Sequence, residues 1–419
     1  MVKAVRGMRD ILPTHSERWR QVEATILRIL RSYSYAEIRL PLLEYTELFA
    51  RGVGEATDII EKEMYSLADR DGDSLSLRPE GTASCVRALE EHGLLYNQTQ
   101  RVFYAGPMFR YEKPQKGRYR QFSQIGAEAY GFAGPDLDAE LIALGHTCWQ
   151  QLGIGDRVYL QLNTLGSGAA RLAFRQALLD YLQPHAKALD PDSQRRLQSN
   201  PLRILDSKIA STQAILQDAP QLLDFVDADG LEHFQALQSL LQQLGIPYQL
   251  NPNLVRGLDY YTHTVFEWVT DDLGAQGAVC AGGRYDGLVE RLGGRDTPAV
   301  GFAIGLDRVM LLHELAQPDR SDISADVYVC VTNADCLSAA MQCAQRLREA
   351  APDLRVRVHM GGGQLKKQFK RADASGATWA LLCGAETQAD ELVIKHLRDA
   401  AIGQRQLPAG EALNQLQQI

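Results

Sequence analysis

Gly106–Glu128 reads GPMFRYEKPQKGRYRQFSQIGAE. Two runs of strand character, Arg101–Glu112 and Arg118–Gly131, flank a loop holding Pro114, Lys116 and Gly117, which predicts a β-hairpin. Arg110, Lys113, Lys116, Arg118 and Arg120 crowd into it, opposed only by Glu112 until Glu128 is reached. Strand alternation places Arg118, Arg120, Phe122, Gln124, Gly126 and Glu128 on one face. That face is polar where a hairpin ordinarily turns to its core, and a buried charge or amide is costly unless paired. A ligand carrying phosphates and hydrogen-bonding groups would pair them. A solvated arm with surface arginines is the reading that the hairpin alone leaves open.

Other segments narrow the choice. Leu77–Thr82 reads LRPEGT, and Leu254–Glu267 reads LVRGLDYYTHTVFE, a further β-run with an isolated Arg256 and paired Tyr260 and Tyr261. Ala281–Leu288 reads AGGRYDGL; in Ala299–Leu312, AVGFAIGLDRVMLL, an apolar strand passes through Gly305 into a helix bearing Arg308. Together these runs resemble the class II aminoacyl-tRNA synthetases, and within them the histidyl family. LVRGLDYYTHTVFE and AGGRYDG are similar to that family's two histidine-binding segments, and FRYEKPQKGRYRQF and GFAIGLDRV to class II motifs 2 and 3. The likeness runs along essentially the whole chain.

Bulk properties agree with such a protein. At 419 residues the chain is long enough for two or three domains. A net charge of −8 argues against a general cation coat for nucleic acid, though not against a local basic track. The seven cysteines include no C-x-x-C pair and sit in apolar runs, so they read as reduced, buried small hydrophobes of a cytoplasmic protein, and no structural zinc site is expected. The N-terminal MVKAVRGMRDILP has no apolar stretch of the secretory kind, and no run approaches the ~20 apolar residues that span a bilayer.

Along the chain, Thr14-x-x-Glu17 reads as a capping box opening an amphipathic helix through Trp19, Val22, Ile26, Ile29, Leu30 and Tyr33. AEIRLPLLEY follows as a strand whose Pro41 confines it to an edge or to a partner chain. It resembles motif 1, which in the family forms a homodimer interface. A helix over 136–152 covers the sheet with Leu137, Leu141, Leu144 and Cys148. Residues 168–248, rich in Leu, Gln and Ala, read as short helices, with His185 and His233 at the surface. HELAQPDRSDISAD, from His313, reads as a linker. Beyond it come β over 326–331, α over 334–350, β over 354–360, α over 364–375, β over 378–383 and 391–396, and α over 411–418, an α/β sheet with parallel pairs. Lys366, Lys367, Lys370 and Arg371 fall on one helix, a solvated face or an RNA contact.

The resemblance implies a fold class and a division of labour. An α+β catalytic domain on an antiparallel sheet takes 1–167 and 249–318, a helical insertion 168–248, and a C-terminal α/β anticodon-binding domain 325–419. The implied activity is ATP-dependent ligation of L-histidine to tRNA(His) through histidyl-adenylate; the alternative is a histidine-binding regulatory paralogue of a histidine-biosynthesis phosphoribosyltransferase. Arg110 resembles the arginine that holds the α-phosphate and the substrate carboxylate, Glu112 the acceptor of the adenine amine, and Arg118 and Arg308 cations on the other phosphates. Arg256 is similar to a cation set against the α-phosphate, with a salt bridge to Asp259 or Asp286 as its structural alternative. For histidine, Glu80 and Gln124 resemble the groups that take the α-ammonium, and Glu128 and Tyr261 those that meet the ring nitrogens. Gly81, Thr82, Tyr260 and Tyr285 line that pocket. Gly301 and Gly305 let the backbone approach the nucleotide, Mg²⁺ accompanies ATP on unassigned ligands, and Gln115, Lys116 and Arg120 meet the tRNA acceptor end. Asp307 stands where the family more often has Glu, and Ser123 and Tyr111 where it often has His.

Overall fold

The computed structural model describes residues 2–417 apart from 55–56, 206, 208, 256–257, 275–276, 319–323 and 385–390. By internal contacts the chain divides into two compact units, Met1–Asp10 with Arg20–Pro318, and Ile11–Trp19 with Asp319–Ile419.

Helix α1 (Pro13–Ser32) buries Val22, Ile26, Ile29 and Leu30, as the spacing predicts. The capping box does not form. The helix begins two residues earlier, at Pro13, which has no N–H to satisfy, and the amides of His15 and Ser16 reach the Leu12 carbonyl instead. AEIRLPLLEY is likewise not one strand. Its first part, β1 (Ala36–Glu37), pairs in parallel at the edge of the main sheet, and β2 (Leu43–Tyr45) joins a separate antiparallel sheet; Pro41, which cannot donate to a ladder, lies between them. After α2 (Thr46–Val53), β3 (Tyr65–Ala68) and β4 (Ser74–Leu77) complete that small sheet in the order β2-β4-β3, and α3 (Thr82–Glu91) follows.

The expected hairpin is present. Strands β5 (Gln100–Phe109) and β6 (Gln121–Tyr130) pair antiparallel from Gln100–Tyr130 to Phe109–Gln121. Both stop short of their predicted ends, so Arg110, Arg118 and Arg120 stand in the loop, which a Gln115–Arg118 bridge tightens. Helix α4 (Pro135–Gln151) and β7 (Tyr159–Thr164) follow, then α5 (Gly168–Leu182), α6 (Pro191–Ser199), α7 (Ala210–Leu216) and α8 (Ala228–Gln243). Ser167, Asp190 and Asp227 start α5, α6 and α8 by accepting otherwise unpaired amides, the chemistry that favours short polar side chains there.

The chain returns to the sheet with β8 (Tyr248–Leu250), β9 (Thr262–Val269), β10 (Ala278–Arg284), the short α9 (Leu288–Arg291), β11 (Ala299–Gly305) and α10 (Leu306–Ala316). The β-run expected from Leu254 begins only at Thr262; the buried Leu254, Val255, Tyr260 and Tyr261 precede it without strand pairing. The linker also starts later than expected, because α10 runs to Ala316 and buries His313. Among the described residues the main sheet has eight strands in the order β1-β5-β6-β11-β10-β9-β7-β8, parallel only at its two end pairs. This order makes neighbours of segments far apart in sequence, setting Gly301 opposite Glu128 and Gly305 opposite Gln124.

The second unit contains β12 (Val327–Val331), α11 (Leu337–Ala350), β13 (Val356–Val358), α12 (Leu365–Ala374), β14 (Trp379–Cys383), β15 (Glu391–His396), β16 (Gln404–Pro408) and α13 (Ala409–Gln417). Its sheet runs β13-β12-β14-β15-β16, with β12 parallel to both neighbours and the rest antiparallel. Strand β16 was not foreseen: QRQLP carries no apolar alternation, and pairing with β15 is what orders it. All seven cysteines are buried and free.

Candidate active site

A cleft of about 410 Å³ lies over β6, β10 and β11, and Arg110, Glu112, Arg118 and Gln124 of the hairpin face into it. Its lining divides into a cationic end and a buried hydrogen-bonding end.

Arg110 and Arg118, from the hairpin loop, and Arg308, from α10, reach the cationic end. Arg110 donates Nε to the Pro79 carbonyl at 2.8 Å and lies over the Phe122 ring. Arg118 pairs with Glu112 and comes within 3.8 Å of Glu63. Arg308, one turn into α10, donates to the carbonyls of Gly117 at 3.0 Å and Ala278 at 2.5 Å. Burial lowers the Arg308 pKa to about 10, and the like charges of Arg118 and Arg110 push in the same direction. Such a cluster favours a bound polyanion over a solvated arm. Arg203, Asp58, Glu63 and Glu267 also line the cleft and were given no role by sequence reading, although Glu267 ends the quoted run Leu254–Glu267.

At the other end, the Glu80 carboxylate accepts the amides of Thr82 at 2.7 Å and Ala83 at 2.8 Å, sealing the start of α3. Burial raises its pKa against the pull of those amides. Gln124 lines the cleft with a buried Oε1 that has no hydrogen-bond partner among the described residues. Tyr260 and Tyr261 line it too, their rings 4.7 Å apart. Glu128 lies behind this surface. It accepts from Thr82 Oγ1 at 2.7 Å, from Tyr104 OH at 3.1 Å and from Tyr285 OH, and burial raises its pKa to about 8. Thr82 and Tyr104 belong to the lining, whereas Glu128 and Tyr285 do not. Sequence reading missed Tyr104, which looks like one alternating aromatic of RVFYAG. Its ring fills space left by Gly81 and Gly126, where a Cβ would overlap it. Gly301 is required for a similar reason, because a Cβ there would run into the Glu128 carboxylate.

The loop carries the remaining predicted residues. Gln115 and Lys116 are exposed, and Arg120 is stacked over Tyr111 at 3.6 Å and donates to the Glu112 carbonyl. Arg256 lies outside the described residues, as does Gly257. Of the two carboxylates named as alternative partners of Arg256, Asp286 pairs with Arg284, and Asp259 accepts from Asn200 at 3.2 Å.

One polar cluster supports the site from behind. Arg284 is 1% exposed and Asp138 fully buried; they meet at 2.6 Å, and Arg284 also donates to the carbonyls of Phe132 and Gly134. Asp138 accepts as well from Thr264 at 2.7 Å and from His233 at 2.8 Å, so His233 is a partner of a buried carboxylate rather than a surface residue. Although burial opposes it, these partners hold the Asp138 carboxyl below the usual range.

A family model described as histidyl-tRNA synthetase matches residues 7–309, and one described as an anticodon binding domain matches 326–419. The chain is 32% identical to the histidyl-tRNA synthetase of S. aureus, with a TM-score of 0.79 over 100% of both chains. A histidyl-tRNA synthetase from Nostoc sp. is similar in fold at 20% identity and a TM-score of 0.74, over 99% of each chain. So is a Bacillus halodurans protein described as an ATP phosphoribosyltransferase regulatory subunit/histidyl-tRNA synthetase, at 22% identity and a TM-score of 0.66, over 91% of this chain and 98% of that one.

Proposed function

The chain belongs to the histidyl-tRNA synthetase family, and from that premise we propose how its cleft joins L-histidine to tRNA(His) with ATP. The carboxylate of histidine attacks the α-phosphorus, pyrophosphate leaves, and the adenylate then passes its histidyl group to the terminal ribose of the tRNA, releasing AMP. The observation that carries this reading is the convergence of Arg110, Arg118 and Arg308 in a cleft whose opposite end offers buried acceptors. Outer phosphates satisfy Arg118 and Arg308, and Arg110 bridges the α-phosphate and the substrate carboxylate, holding the reacting atoms together. Arg256 adds charge stabilisation at the pentacoordinate phosphorus. Glu112 accepts from the adenine amine.

For the amino acid, Gln124 and Glu80 take the α-ammonium, and Glu128 and Tyr261 take the imidazole nitrogens. Gly81, Thr82, Tyr260 and Tyr285 shape the pocket. A site that hydrogen-bonds both ring nitrogens leaves buried polar groups unpaired when an isostere enters, which supports discrimination of roughly 10⁴–10⁵ without editing. Among the described residues no cluster of three or more His, Cys, Asp or Glu side chains could hold a metal alone. Glu63 and Glu267 line the cleft and are suited to completing the shell of a Mg²⁺ carried on ATP phosphates, where the ion would neutralise charge.

The match over 326–419 favours the ligase over the regulatory-paralogue reading, because a purely regulatory role needs no anticodon reader. We assign 1–167 and 249–318 to activation, 168–248 to an insertion and 325–419 to the anticodon. Lys366, Lys367, Lys370 and Arg371 all lie exposed on α12, where they are available to RNA phosphates; Gln115, Lys116 and Arg120 serve the acceptor end. Exposed Leu42, Leu43 and Tyr45, at and before the edge strand β2 of the small sheet, support a homodimer. Buried free cysteines suit the cytoplasm, and among the described residues no helix is long and apolar enough to cross a membrane.

Charging assays with purified tRNAs test this function: histidine should be transferred to tRNA(His) and to no other acceptor. Replacing Lys366 and Lys370 with Ala should leave adenylate formation intact. It should lower the slope of log affinity for tRNA against log salt by about 1 for each phosphate no longer neutralised. A salt response that is flat in the unaltered protein contradicts the RNA docking.

A further inference from the structure

Asp307 is buried at the start of α10 and divides its two oxygens between distant partners. Oδ1 accepts from Arg9 Nη2 at 2.8 Å, and Oδ2 accepts from the Ser123 amide at 2.8 Å. The Arg9 guanidinium also stands over the Tyr119 ring, 4.4 Å from its centroid, and Tyr119 lines the cleft. Two residues earlier, the Gly7 carbonyl accepts the Arg120 amide at 2.7 Å. Gly7 has φ of 84°, and a Cβ there would press on the Arg120 side chain and Pro114. Residues 7–9 therefore tie the returning leg of the 110–120 loop to the first turn of α10. Those two elements carry Arg118 and Arg308, and Arg308 itself donates to the loop at Gly117.

We propose that Arg9 is a positioning residue for the nucleotide: acting through Asp307 and Tyr119, it fixes the 110–120 loop against α10 so that Arg118 and Arg308 are set for the phosphates of one ATP. The inference rests on the reading of this cleft as the ATP site. The short arm of Asp307 has its place in this arrangement, because it reaches Ser123 while leaving Arg9 room to close on the other oxygen. Loss of Arg9 should loosen the nucleotide end and leave the histidine end, on β6 and α3, in place.

The test is steady-state histidine-dependent pyrophosphate exchange, in full-length protein, for Arg9→Ala, Arg9→Gln, Arg9→Lys, Asp307→Asn and Arg9→Ala with Asp307→Asn. Arg9→Ala and Arg9→Gln should raise KM for ATP by about tenfold while KM for histidine stays within about twofold, and Arg9→Lys should recover part of the loss. The loss for ATP in the double variant should be smaller than the two single losses combined, as expected for residues that act through one another. An unchanged KM for ATP in folded Arg9→Gln, or an equal rise in KM for histidine, would overturn the proposal. Absence of exchange in the unaltered protein would instead overturn the nucleotide reading, and this inference with it.

Discussion

Glu128 lies among the hydroxyls of Thr82, Tyr104 and Tyr285, and burial raises its pKa to about 8. An acid whose folded pKa exceeds its unfolded value of about 4.3 holds its proton more tightly in the native state. Its contribution to stability is therefore complete below about pH 4 and is lost as pH rises through about 8. Unfolding free energy from denaturant titrations should fall with pH across this window, and Glu128→Gln should flatten the fall; parallel profiles would refute the assignment. Arg256→Ala should slow histidine activation by about 10²–10³, the equivalent of roughly 3–4 kcal/mol, in protein of unchanged unfolding midpoint. Normal activation with a lowered midpoint would return Arg256 to a structural pairing. At this scale the polar alternation of the hairpin was legible, which marked Gln124 and Glu128, and the resemblance supplied the role of Arg110. Tyr104 and Arg9 were not, because each acquires its partner only through strand register or through a fold that closes a separation of 298 residues (Arg9 to Asp307).

Helix α4 and strand β10 are joined by the Asp138–Arg284 pair, fully desolvated and supplied with further hydrogen bonds on both sides. Removing one partner leaves the other buried and uncompensated. Asp138→Ala should lower the unfolding free energy by about 3–5 kcal/mol, measured by equilibrium denaturation, with the largest loss of amide protection in α4, α8 and β10. A loss under about 1 kcal/mol would mean that water or a shifted side chain replaces the partner. Periodicity identified α4 as a helix covering the sheet, yet gave Asp138 no role. His233 read as a surface residue for the same reason: nothing local distinguishes a polar side chain that docks on a neighbouring helix from one that meets water. The capping box failed at this scale too, since a start at Pro13 competes with it and wins.

Across the whole molecule, strand order brings β5, β6, β11, β10 and β9 side by side, so four separated motifs become one cleft. Motif spacing made the sheet and its helical excursion legible, because each strand is bounded by turn residues and followed by a change of period. Strand β16 and the break at Pro41 escaped, because both depend on which neighbour the backbone finds. The central claim is that this cleft activates histidine. Its most direct test is the exchange of pyrophosphate into ATP by the purified protein, without tRNA, across a panel of amino acids. Exchange with histidine alone is the result predicted. Exchange with a different amino acid, or none in folded protein that binds histidine, would contradict it.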